Sequence, residues 1–256
     1  MIKQAIRSVI RKFGYDVVRY KMNGQDIPTD FERRHIEIIE KVSPYTITSH
    51  ERIHALIEST RFILQNDIKG DFVECGVYKG GSTMAIALTL LAEGEKDREL
   101  YLFDTFEGMP APGEKDIDLW GKPAFEVFSQ KKLSDVSSTW ANASLESVKE
   151  AMTLTGFPME KIHFVKGLVE DTIPKNAPES IALLRLDTDW YQSTKHELTH
   201  LYPLVSPNGI IIVDDYGHYK GAREAVDSYF LENKIALFLH RIDYTGRLIV
   251  NNRLPD

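Results

Sequence analysis

From residue 71 onward the chain alternates short, nearly continuous apolar runs with stretches of helical periodicity. The runs are D-F-V-E-C-G-V at 71–77, E-L-Y-L-F-D-T-F at 99–106, K-I-H-F-V-K-G at 161–167, I-A-L-L-R-L-D at 181–187 and G-I-I-I-V-D-D at 209–215. A strand that is apolar at successive positions, not only at every second one, is buried on both faces. Helices between such strands therefore predict a parallel sheet covered on both sides. The ending differs: A-L-F-L-H-R-I-D and G-R-L-I-V-N are joined through Tyr244-Thr245-Gly246, a link too short for a crossover helix. They predict an antiparallel hairpin at the sheet edge. The expectation is an α/β fold with a mostly parallel seven-stranded sheet and helices on both faces. Upstream, helical periodicity runs over 31–42 and resumes after Ser49, where Ile53, Leu56, Ile57, Ile63 and Leu64 share a face.

Charge and composition narrow the classes. With a net charge of −7, the chain is a poor general binder of nucleic acid, which needs clustered Lys and Arg to neutralise phosphates. The single cysteine, Cys75, permits no internal disulfide and suits a reducing cytoplasm. No apolar run approaches the ~20 residues of a membrane span. The first 21 residues are basic, with Lys3, Arg7, Arg11, Lys12, Arg19 and Lys21 against Asp16 alone. Ile2, Ile6, Val9, Ile10 and Phe13 recur there at helical spacing, the pattern of a short amphipathic helix. It reads as packed on the body or on a neighbour in a homo-oligomer, or else as lying on an anionic membrane surface. A connector at 23–30 follows. The expected division is a helical extension over 1–43 and one main domain over 44–256, carrying a lid-like insertion at about 107–143.

Ligands of open parallel sheets bind beyond the carboxyl ends of the strands, and those ends carry Glu74, Asp104, Asp187, Asp214 and Asp215. The first of them opens V-E-C-G-V-Y-K-G-G-S-T-M, where Gly76, Gly80 and Gly81 allow a tight turn, and Ser82 and Thr83 begin a helix. The spacing fits neither a dinucleotide fingerprint nor a phosphate loop. An acid before the turn repels pyrophosphate but suits a cationic amine, and Asp104 is placed to accept from ribose hydroxyls. S-adenosylmethionine, with its ammonium, carboxylate, ribose and sulfonium, meets these demands. Asp187, Asp214 and Asp215, at the ends of two neighbouring strands, form a hard oxygen set suited to Mg²⁺. Asp189, two residues past Asp187, is a candidate general base: it takes the proton of an acceptor hydroxyl made acidic by the cation, and the oxygen attacks the methyl in line.

Two other features compete for attention. His196-Glu197-Leu198-Thr199-His200 has the H-E-x-x-H spacing of zinc hydrolases, but the one tempting third ligand, Glu224, lies beyond the intervening strand at 209–215, and the helix runs away from the acidic rim. Within the insertion, Trp120, Phe125, Phe128 and Trp140 suit either stacking on a sugar or anchoring to the core. His218 suits either acceptor contact or the surface.

The motifs Y-T-I-T-S-H-E-R-I, D-F-V-E-C-G-V-Y-K-G-G-S, L-F-D-T-F-E-G-M-P, L-L-R-L-D-T-D-W-Y-Q-S-T and I-I-V-D-D-Y-G resemble those of the macrocin and mycinamicin sugar O-methyltransferase family, which includes the novobiocin-type enzymes. The resemblance covers roughly residues 44 to 250. It implies a Rossmann-like class I methyltransferase fold, S-adenosylmethionine, Mg²⁺ and methylation of a sugar hydroxyl on a small-molecule or glycan acceptor. It further implies that Asp187, Asp214 and Asp215 hold the metal, with Asp187 also bordering the cofactor, and that Asp189 is the base. Glu74, Gly76, Tyr78, Ser82, Asp104 and Thr105 would hold the cofactor. Ile47 and Thr48 would cover its methionine end, while Gly167, Leu168 and Glu170 would border the adenine. The region before residue 44 matches less clearly and would help form the acceptor side. Two readings of the same core stand beside this one: a catechol-like diol methyltransferase and a non-catalytic S-adenosylmethionine-binding protein.

Overall fold

A computed structural model describes residues 27–253 and, apart from them, Lys12. The rest of the basic segment at 1–21, and residues 23–26 of the connector at 23–30, lie outside the described residues. By its contacts the chain divides after Asp30, and the unit that begins at Phe31 is described by itself.

Two helices lead into the sheet, α1 at Arg33–Val42 and α2 at His50–Gln65. Ser49 starts α2 by accepting a hydrogen bond from the Arg52 backbone N–H, one of the four donors a helix start leaves open. The strand–helix alternation follows, with β1 at Asp71–Cys75, α3 at Gly81–Ala92 and β2 at Leu100–Asp104. The insertion comes next: α4 at Ala124–Lys131 and a small hairpin, β3 at Lys132–Ser134 and β4 at Ser137–Ser138. Beyond it lie α5 at Leu145–Thr153, β5 at Ile162–Lys166, α6 at Val169–Thr172, β6 at Ile181–Leu186 and α7 at Tyr191–Leu201. The chain ends through β7 at Val205–Val213, α8 at Lys220–Glu232, β8 at His240–Arg241 and β9 at Arg247–Val250.

The large sheet has seven strands in the order β5-β2-β1-β6-β7-β9-β8. The first five run parallel, β9 is antiparallel to β7, and β8 is antiparallel to β9. This is the expected mostly parallel sheet closed by an antiparallel pair. The outer strand is shorter than the 236–243 run suggests: only His240 and Arg241 pair, while Leu237 and Leu239 turn to the core and Phe238 is exposed. An edge strand has hydrogen bonds on one side alone, so packing decides its course.

Side chains alternate across a strand, and that alternation divides the core. Val73, Cys75, Leu184, Leu186, Ile211 and Val213 face Leu198, Leu201 and Tyr202 after and on α7, and Val226 and Phe230 on α8. The intervening residues, Glu74 and Arg185 among them, face the side of α2 and α3, where they meet Thr83 and Thr48. The insertion is anchored, not open. Phe128 is fully buried, Trp140 meets Trp190 edge-on at 5.6 Å, and the buried carboxylate of Asp116 accepts from the N–H groups of Tyr191 (2.8 Å) and Gly113 (2.7 Å). Phe128 is thus structural; Trp140 packs on Trp190 and also lines the cavity beyond the strand ends, whereas Trp120 is 74% exposed. Among the described residues no helix is long and apolar enough to cross a membrane.

Candidate active site

The loops at the carboxyl ends of the strands enclose a cavity of about 790 Å³. Ile47, Thr48, Gly76, Tyr78, Ser82, Asp104, Thr105, Gly167, Leu168, Glu170, Asp187, Asp189, Asp214 and Asp215 all line it. Of the residues that the resemblance assigns to the metal, the base and the cofactor, only Glu74 does not. Its carboxylate lies behind the wall, accepting from Arg185 Nη1 at 2.6 Å and from the Thr83 hydroxyl. Its charge is therefore answered inside the protein, not by a ligand's amine.

On the β1–β2 side the wall is shaped by backbone. Gly76 has φ +83, and a Cβ there would run into the Asp187 carbonyl, so glycine lets the loop after β1 pass the loop after β6. Asp104 Oδ2 accepts from the N–H groups of Val77 (2.6 Å) and Tyr78 (3.1 Å), and Oδ1 from that of Phe106 (2.6 Å). Burial pushes this carboxyl up and the three N–H donors oppose it. Asp104 thus holds the glycine loop in place as well as facing the cavity.

The β6–β7 side is built from side chains. One carboxylate oxygen from each of Asp187, Asp214 and Asp215 lies within 4.8 Å of the others, the sole such group of three among the described residues. Asp189 joins them, its carboxyl beside that of Asp215. Burial, then the neighbouring acids, pushes Asp189 up to about 7. Burial likewise raises Asp187 and Asp215 well above the carboxylate range.

Two arginines, to which the sequence reading assigned no role, answer part of this charge. Arg185 is the one charged residue of β6 and is buried. Its Nη1 reaches Glu74 (2.6 Å) and Asp187 (2.8 Å), and its Nη2 reaches Asp214 (2.7 Å). Arg52 donates to Asp214 Oδ2 and, through Nε, to Asp243 at 3.0 Å. Burial alone would lower both guanidinium pKa values, but the surrounding acids more than offset it and raise them. An arginine inside the apolar run L-L-R-L-D was the signal for the first; the second is on a helix far away in sequence.

The acids still outnumber the guanidiniums, and Asp215 Oδ2 is buried without a hydrogen-bond partner. Crowded hard oxygens and an orphaned buried acceptor fit a divalent cation such as Mg²⁺. The H-E-x-x-H segment does not form a metal set. His196 Nε2 lies 3.1 Å from the Ile173 carbonyl, the His196 and His200 rings pack together at 4.4 Å, and Glu197 is buried and bonded to Thr188. On the remaining wall, Tyr219, His218 and Tyr244 form a run of aromatic contacts that ends at Trp120, 5.7 Å edge-on from His218.

A parallel sheet closed by an antiparallel pair, with a glycine loop after the first strand and acids at the neighbouring strand ends, defines a Rossmann-like methyltransferase of class I. The particular family is equally clear: the chain belongs to the TylF macrocin-O-methyltransferase family, whose model matches residues 7–249. The match begins well before residue 44, where the resemblance becomes legible by eye. The chain is similar to demethyldecarbamoylnovobiocin O-methyltransferase of Streptomyces niveus, 31% identical over 202 residues that make up 79% of this chain and 74% of that protein. It is equally similar, 31% over 202 residues with the same coverage of 79% and 74%, to 8-demethyl-8-(2,3-dimethoxy-alpha-L-rhamnosyl)-tetracenomycin-C 4'-O-methyltransferase of Streptomyces olivaceus. The solved structure of the O-methyltransferase NovP matches with a TM-score of 0.72 and 30% identity, covering 82% of this chain and 83% of that one. The protein is an O-methyltransferase.

Proposed function

We propose that the protein moves the methyl group of S-adenosylmethionine to a sugar hydroxyl of a glycosylated natural product, with Mg²⁺ held by Asp187, Asp214 and Asp215 and Asp189 as general base. One observation carries the reading: three carboxylates converge within 4.8 Å beside a fourth whose pKa is pushed up to about 7. The sugar acceptor is suggested by the relative from Streptomyces olivaceus, named for a rhamnosyl compound. The glycine loop, Tyr78, Ser82 and Asp104 would border the donor, with Ile47 and Thr48 on its methionine side and Gly167, Leu168 and Glu170 on its adenine side.

A bound Mg²⁺ supplies the positive charge that makes an acceptor hydroxyl more acidic, and bound S-adenosylmethionine supplies the electrophilic methyl. The chain does the rest. Asp189 takes the hydroxyl proton, and a carboxyl that titrates near neutrality in the metal-free site is suited to exchanging it. Beside such a charge Asp189 would be ionised and so able to accept the proton. The loops that line the cavity would hold acceptor and donor in line.

The test is methyl transfer measured with and without EDTA, together with Asp189→Asn. Activity is expected to vanish in EDTA and return with Mg²⁺. Asp189→Asn is expected to lose about 10²- to 10⁴-fold in kcat while binding S-adenosylmethionine as the wild type does. Full turnover in EDTA would sink the metal reading.

A further inference from the structure

The chemistry above leaves one buried acid without a task. Glu197, the acid of H-E-L-T-H, sits on α7 with 0% of its surface exposed. Its Oε1 accepts from the Thr188 hydroxyl at 2.9 Å, while Oε2 is buried with no hydrogen-bond partner and the Cys75 thiol is close by. Burial, with Glu170 nearby, drives this carboxyl well above its usual range. No cation among the described residues is paired with it, and hydrogen bonding is what such a buried carboxyl offers its neighbours.

What it bonds is informative. Thr188 is the residue between Asp187 and Asp189. The loop is held from both sides by backbone: the Asp187 N–H donates to the Cys75 carbonyl, and the Trp190 N–H to the Thr188 carbonyl, each at 2.8 Å. Asp189 has φ +67, the left-handed region, which a non-glycine residue rarely adopts and which persists only where its surroundings hold it. The Thr188 hydroxyl ties the middle of this loop to α7.

We propose that Glu197 is a positioning residue: by accepting from Thr188 it fixes the loop that carries Asp187 and Asp189, and so sets turnover and not the binding of the methyl donor. This rests on the reading of Asp189 as the base. The fragment that looks like a zinc motif thus contributes its glutamate to the neighbouring site as a hydrogen-bonded brace, while His196 faces the Ile173 carbonyl.

The experiment compares Glu197→Leu, Thr188→Val, their double variant and Glu197→Gln in kcat, S-adenosylmethionine affinity by calorimetry, and Tm. Glu197→Leu and Thr188→Val are each expected to lower kcat about tenfold or more, since small misplacements of reacting groups carry such factors, with donor Kd within about twofold. The double variant is expected to fall little below the worse single one, because both break one bond. Glu197→Gln keeps the acceptor oxygen in a neutral group of the same shape and is expected to recover most of the turnover. Should Glu197→Leu not fold, Thr188→Val, nearly isosteric, carries the test alone. Wild-type kcat in folded Thr188→Val, or losses that multiply in the double variant, would overturn the proposal. So would a Glu197→Gln as slow as Glu197→Leu. Asp189→Asn separates the two readings. If it turns over normally, the base assignment falls and this inference with it. If it is dead while Thr188→Val is unimpaired, only the inference falls.

Discussion

Asp104 at the end of β2 and the aspartates at the ends of β6 and β7 are the same residue type at matching places on one sheet, yet they are satisfied in opposite ways. Asp104 is answered by backbone, through the N–H groups of Val77, Tyr78 and Phe106. Asp187 and Asp214 are answered by side chains, the guanidiniums of Arg185 and Arg52, and Asp215 keeps a buried oxygen with no partner. The difference lies in what the chain does next. After β2 the chain and the adjacent glycine loop fold over the carboxylate and turn their N–H groups onto it. The ends of β6 and β7 instead lie side by side and place acid against acid, a need that backbone dipoles do not meet. An acid at a strand end holds a loop in the first case and calls for a cation in the second.

The largest effect should come from the buried guanidinium. Arg185→Leu leaves Glu74, Asp187 and Asp214 without their shared donor, and a loss of about 3–5 kcal/mol is expected in urea unfolding. Arg185→Lys should recover only part, because one ammonium lacks the planar fork. A loss under about 1 kcal/mol for Arg185→Leu would mean that these acids need no cation, and the contrast with Asp104 would collapse. Asp104→Ala should cost about 2–3 kcal/mol through the donors it strands and weaken S-adenosylmethionine binding about tenfold or more. Mn²⁺ affinity, read by paramagnetic titration, should stay unchanged, and a joint loss of both would show the two sides to be one unit.

The next effect is a pH dependence whose sign follows from the raised carboxyls. Asp189 is pushed up to about 7, and Asp187 and Asp215 are also raised, so the metal-free fold favours their protonated forms. That stabilisation is fully present below the ordinary aspartate pKa of about 4 and is lost as pH rises through about 7. Saturating Mg²⁺ should therefore raise Tm more near pH 8 than near pH 6, by about 2–4 °C for each kcal/mol regained. Equal gains at both would break the link between crowded acids and metal. The smallest effect belongs to Asp243→Asn, which loosens the Arg52 tie at 3.0 Å and should cost about 1 kcal/mol.

The acids of the site were readable because a strand's end is marked by where an apolar run stops, and the residue there faces the ligand side whatever the rest of the chain does. The glycine loop was readable for the same local reason. Glu74 shows where this stops. Its place at the end of β1 was right, but which way its carboxylate turned depended on Arg185, 111 positions further on. The insertion repeats the point: its aromatics were visible, but that Phe128 and Trp140 pack inward while Trp120 stays exposed follows from where α7 lies.

By itself, then, the sequence determined the alternation of strands and helices, the antiparallel ending and the ring of acids, all consequences of periodicities only a few residues long. Tertiary structure alone decided how those acids are neutralised. Two arginines are brought against them by strand pairing and helix packing, and H-E-L-T-H is turned so that Glu197 braces the loop beside it. Charge pairing and burial are set by distance in space, and neighbours in space need not be neighbours along the chain.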